Sequence, residues 1–141
     1  YASHSWSGDV TSEWSVMRKQ LAAGLNYALC GIPYWNTDLG GFFAWRYNNN
    51  VNNIAYHELH VRWYQWGVFQ PIMSSQNSSP VAVEIYQFGK KGDWSYDALE
   101  KYTHLRYRLL PYIYSTSWEV TSKADVYEAY KGYKAFLREM R

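Results

Sequence analysis

Two aspartates lie in matching surroundings: Asp9 in "WSGD" and Asp38 in "WNTDLGGF". Each follows a short apolar or aromatic stretch, each is preceded by a tryptophan (Trp6, Trp35), and each is close to glycine. Two carboxylates flanked by aromatic rings are suited to general acid–base work on a glycosidic bond, where one side chain must give a proton to the leaving oxygen. Asp at a strand end also serves as a turn or helix-cap residue, and spacing alone leaves both readings open. The other chemistry-bearing types carry less. His57 and His60 in "HELH" are three apart, whereas a zinc-protease helix needs a wider pair and a third ligand, so they read as packing or surface residues. His4, near Asp9 in sequence, either tunes it or packs at a strand end, and His104 reads as structural. Ser7 lacks the glycine elbow of a serine hydrolase. "NSSP" is a formal N-glycosylation acceptor at Asn77.

Composition narrows the field. The chain has 141 residues and a formal net charge of +2, with its basic residues dispersed, so neither a nucleic acid nor a membrane surface is expected as a partner. Aromatics are in excess, with 15 Tyr and 8 Trp. Flat apolar faces with polar edges suit a sugar, and they suit a large core equally well. The single cysteine, Cys30 in "YALCGIP", cannot form an internal disulfide; its apolar neighbours point to an inert core thiol, and the compartment stays open. No apolar run approaches membrane-spanning length.

These residues must be positioned by something, and the chain reads as three consecutive strand–loop–helix units. "SHSW" leads to a helix in which Trp14, Met17, Leu21, Leu25 and Leu29 recur at helical spacing, with Thr11 expected as N-cap and Gly31 just past the end. "IPYW" and the polar loop after it lead to a helix from about Ala55 to Phe69 with Leu59, Trp63 and Trp66 as its stripe. "QPIM" and a long loop lead to a third helix, from about Ser95 to Thr116. Ala98, Tyr102, Leu105, Leu109 and Ile113 are in register there, Asp97 and Glu100 have capping-box spacing, and Pro111 is expected to kink the last turns. Residues 122–141 read as a separate amphipathic helix with Asp125 as N-cap. Short buried strand, loop and helix in alternation predict a parallel α/β fold, in which acids at the C-terminal strand ends are where active sites collect.

The stretches "HSWSGDVTSEW", "GIPYWNTDLGGF", "ELHVRWYQWGVFQPIM" and "LRYRLLPYIYS" together resemble glycoside hydrolase family 31, most closely its α-xylosidases. The resemblance runs from about Tyr1 to Thr121 and implies a partial TIM barrel, the last three βα units of a (β/α)8 barrel, with residues 122–141 appended. It implies that Asp9 is the general acid/base, enclosed by rings that exclude solvent. Trp6 would form part of the pocket wall, and Trp35, Asp38 and Phe42 would also contribute to the sugar pocket. No metal or organic cofactor is implied. The family's nucleophilic aspartate belongs to an earlier strand, and the Arg and His expected after "QPIM" are replaced by Ser74 and Gln76.

The expectation is therefore a fragment or derivative of a retaining α-glycosidase acting on terminal α-xylosyl or α-glucosyl residues, with negligible turnover by itself. The alternative is a non-catalytic carbohydrate-binding scaffold, or a half-barrel that associates with itself or with a complementary barrel segment to cover its open edges.

Overall fold

The computed structural model describes residues 4–123. Strand β1 (Ser5–Trp6) is followed by helix α1 (Trp14–Leu29), strand β2 (Trp35–Asn36), helix α2 (Ile54–Gly67) and helix α3 (Trp94–Lys123), with short 3-10 turns at Trp45–Tyr47 and Ile85–Phe88. The strands pair in parallel, Ser5 with Trp35 and Trp6 with Asn36, and α1 forms the crossover between them. Among the described residues there are thus three helices but two strands.

The third expected strand, "QPIM", is irregular. Its carbonyls are taken by a side chain rather than by a ladder. The Arg106 guanidinium on α3 donates to the carbonyls of Val68 and Pro71, each at 3.0 Å, and to that of Gln70, while Pro71 has no N–H to offer a neighbour.

Helix α2 is central. Leu59, Trp63 and Trp66, its expected stripe, are all fully buried and meet Met17 of α1 and Leu39 in one core cluster. Its other side brings Tyr56 and Val61 to a second cluster with Ala44, Val81, Phe88 and Leu99. A helix buried on nearly all faces needs a secure start, and the Asn53 side chain supplies it by accepting from the Ala55 N–H at 3.0 Å. His57 and His60 on this helix are both buried, as packing residues.

Helix α1 ends as its sequence requires. Gly31 has φ +79°, and the Gly31 and Ile32 amides donate back to the carbonyls of Ala28 and Tyr27, a Schellman closure. Its start differs from expectation: Glu13, not Thr11, occupies the N-cap position, because Thr11 is drawn into a parallel bridge with Phe43. Its buried side is Met17, Gly24 and Ala28, whereas Trp14 and Leu29 are exposed. Cys30 is exposed rather than a core thiol, since the cap turns it outward at the helix end.

Helix α3 begins one residue early and runs on past Pro111 to Lys123, so it passes through residues 121 and 122 without a break. Asp97 lies inside its first turns and reaches back to accept from the Gly92 N–H at 3.0 Å, in place of the capping box. Leu99 is the α3 residue fully buried in the second cluster; Tyr102, Leu105, Leu109 and Ile113 are half-buried and His104 is exposed. The predicted terminal helix and its Asp125 cap lie outside the described residues.

Candidate active site

The two strand ends and the loops leaving them run side by side beyond the formal strands. Ser7 N–H donates to the Asn36 carbonyl at 3.0 Å, Phe42 N–H to the Val10 carbonyl at 2.6 Å, and Ser12 N–H to the Phe43 carbonyl at 2.9 Å. Trp6 pairs with Asn36, an offset of 30, but Thr11 pairs with Phe43, an offset of 32. The second loop therefore carries two extra residues, which bulge as the "DLGG" turn with Gly40 and Gly41 both at φ +84°. The turn is pressed against its surroundings. A Cβ on Gly40 would fall 2.2 Å from His60 Nδ1, and one on Gly41 would fall 2.6 Å from the Ser12 backbone. Only glycine fits both the conformation and the space.

Asp38 opens this turn and is completely buried. The Trp6 indole N–H crosses from β1 to donate to its Oδ1 at 2.9 Å, while Oδ2 has no hydrogen-bond partner among the described residues. Burial raises the Asp38 carboxyl from its ordinary 3.8 to about 6; the Trp6 hydrogen bond pulls the other way, and the charge of Asp9 adds to the rise. The two acids thus feel each other across the strand ends. Asp9 itself stands exposed after Gly8, whose φ is +71°. Of the two acids, the buried one among the described residues is thus Asp38, held by Trp6, while Asp9 is exposed.

The remaining expected pocket residues divide by strand face. Trp6 and Asn36 are register partners on one face, and alternation places Asp38 with them. Trp35 is on the opposite, helix-covered face. It is 5% exposed, its ring stacks on Tyr27 of α1 with centroids 4.6 Å apart, and it lies against Gly24. Phe42 is half-buried at the far end of the turn, with its ring edge-on to Phe43 at 4.9 Å. His4, just ahead of β1, is exposed.

Three residues make contacts around the turn that their sequence readings did not assign. Asn36 Nδ2 donates to Ser74 Oγ at 2.7 Å, binding β2 to the segment after "QPIM". Asn77 Nδ2 donates to the Gly41 carbonyl and the Tyr56 hydroxyl, both at 2.9 Å, so the formal glycosylation nitrogen is instead a strut under the turn. His60 is the wall behind Gly40: it stacks on Phe88 at 4.3 Å, and burial, with His57 beside it, holds its imidazole neutral at about 3. The signal available for Asn36 is its position two residues before Asp38 on a strand. Nothing local marks His60 or Asn77. Among the described residues no cluster of three or more His, Cys, Asp or Glu could hold a metal ion, and no helix is long and apolar enough to cross a membrane.

The geometry has a counterpart among known proteins. The family 31 glycosyl hydrolase TIM-barrel domain matches residues 1–116. The chain belongs to glycoside hydrolase family 31. An α-xylosidase of Saccharolobus solfataricus is 45% identical over 114 residues, which cover 81% of this chain and 14% of that protein. The crystal structure of a family 31 α-xylosidase from Xanthomonas citri superposes with a TM-score of 0.76 at 37% identity, covering 86% of this chain and 13% of that one. A family 31 α-xylosidase from a soil metagenome, solved with xylose bound, superposes at 0.70 with 31% identity, covering 91% and 19%. The chain thus spans under a fifth of the length of each, as a part of the family 31 barrel domain whose parallel strand pair carries the two acids.

Proposed function

We propose that these residues form the acid/base-bearing part of a retaining α-glycosidase acting on terminal α-xylosyl or α-glucosyl residues. The observation that carries this is the placement of two acids at adjacent parallel strand ends: exposed Asp9, and buried Asp38 held by Trp6. Asp9, free to reach an incoming glycosidic oxygen, donates its proton to the leaving group and then activates water. Asp38, Trp6 and Phe42 form the terminal-sugar subsite, with the unpaired Asp38 oxygen accepting a sugar hydroxyl. Trp35 serves this subsite indirectly, by anchoring β2 to α1. The relatives named as α-xylosidases make the α-xyloside the first substrate to test.

Retaining hydrolysis needs a second carboxylate about 5 Å from the first, across the anomeric carbon. In this reading Asp38 is committed to binding, and the nucleophile comes from a barrel strand outside residues 1–141. The 141-residue chain is then expected to release no measurable aglycone from an aryl α-xyloside. A chimaera in which residues 1–116 replace the matching segment of the Xanthomonas citri α-xylosidase is expected to hydrolyse it, and Asp9→Asn should cut that rate by roughly 100- to 10,000-fold. A chimaera indifferent to Asp9→Asn would remove Asp9 from the role. Asp9-dependent release by the chain alone would refute its need for an outside nucleophile.

A further inference from the structure

The face of β2 that carries Asp38 holds a second buried oxygen that the chain leaves unsatisfied. Asn36 is 4% exposed, and alternation puts its side chain on the Asp38 side of the strand, two residues earlier in the chain. Its Nδ2 is used, donating to Ser74 Oγ, which directs the amide carbonyl away from Ser74. That carbonyl oxygen, Oδ1, has no partner among the described residues, and neither has Asp38 Oδ2. A buried acceptor without a donor is unfavourable, so a pair of them on one strand face asks for a ligand that brings hydrogen-bond donors. The orientation is held from a distance. Ser74 accepts the Leu39 N–H on its own carbonyl at 3.3 Å, and the segment ahead of it is held through Arg106 by α3.

We propose that Asn36 is a further substrate-binding residue, oriented by Ser74, whose amide carbonyl accepts one hydroxyl of the terminal sugar alongside the hydroxyl taken by Asp38. The proposal rests on the sugar-subsite reading given above. It selects for a polyhydroxylated ring: two acceptors on one strand face match two hydroxyl donors of one sugar. A ligand carboxylate would meet the Asp38 charge, and an apolar ligand would leave both oxygens unpaired.

Binding of xylose and its three monodeoxy analogues (2-, 3- and 4-deoxy) to the 141-residue chain, followed by the indole N–H resonances in NMR titrations, tests this. In the wild type, one deoxy analogue in addition to the one reporting on Asp38 is expected to bind about tenfold more weakly than xylose. N36A should weaken xylose by a similar factor and no longer distinguish that analogue from xylose. S74A, which keeps the amide but frees its orientation, should lose part of the same discrimination. Should N36A fail to fold by its amide spectrum, S74A decides: unchanged affinity and unchanged discrimination there overturn the proposal. Wild-type affinity and discrimination in N36A overturn it too, with a buried water as the partner of Oδ1. If xylose binds and D38N abolishes binding while Asn36 is indifferent, only this inference falls. If the wild type binds no xylose, the sugar-subsite reading falls and takes this inference with it.

Discussion

Replacing Asp38 by asparagine separates the charge of the buried carboxyl from its shape, and the effect on stability has a calculable sign and size. Asp38 titrates at 3.8 when unfolded and at about 6 when folded, chiefly because burial disfavours the carboxylate. A folded value above the unfolded one means that the native state holds the proton more tightly. The contribution to stability is therefore fully present below 3.8 and is lost as the pH rises through about 6. At about 1.4 kcal/mol per unit, the shift corresponds to about 3 kcal/mol. The asparagine of the D38N variant is neutral at every pH and can still accept the Trp6 hydrogen bond, so it escapes this loss. The stability difference between D38N and wild type should be near zero at about pH 3.5 and should rise to about 3 kcal/mol in favour of the variant by about pH 7.5. Urea unfolding followed by tryptophan fluorescence across that range measures it, and contributions from distant titrating groups cancel in the difference. A flat difference, or one that falls with rising pH, would refute the assignment of a buried, proton-retaining carboxyl at the strand end.

Trp6→Phe removes the donor that opposes this rise, so the midpoint of the same pH-dependent difference, measured in that background, should move above 6. Gly40→Ala must accommodate both φ +84° and a Cβ against His60; it should destabilise by about 2–4 kcal/mol in urea unfolding, and a cost under about 0.5 kcal/mol would show that the turn is not seated on the imidazole. Trp63→Ala in the fully buried α2 stripe should cost about 3–5 kcal/mol, read by the same assay. Exposed Cys30 should react with a thiol reagent in native buffer about as fast as in denaturant, and a native rate many-fold slower would mean that it is covered.

The legible parts of the fold are those that local patterning dictates. The buried stripe of α2 is readable because Leu59, Trp63 and Trp66 recur with the helical period. The end of α1 is readable because Gly31 stands where a left-handed residue is required. The two acids stand out as a pair because each follows an aromatic strand end beside glycine, and the structure couples their charges. What was not legible depends on contacts distant in sequence. A strand of two residues has no period from which to phase its faces, so the sequence leaves open that Trp35 stacks on Tyr27 while Asn36 lies on the strand face of Trp6. "QPIM" has strand-like composition, yet Arg106, some 35 residues away in sequence, claims its carbonyls.

The sequence by itself determined where the three described helices lie, the glycine that ends α1, the family and the likeness of the two acidic strand ends, since each rests on local residue patterns. Only the tertiary structure decided which acid is buried and which is exposed. That outcome depends on a two-residue difference in loop length, and on His60 and Asn77 meeting the longer loop from distant parts of the chain. Desolvation is a property of everything packed around a group, and neighbours in sequence supply only a small part of it.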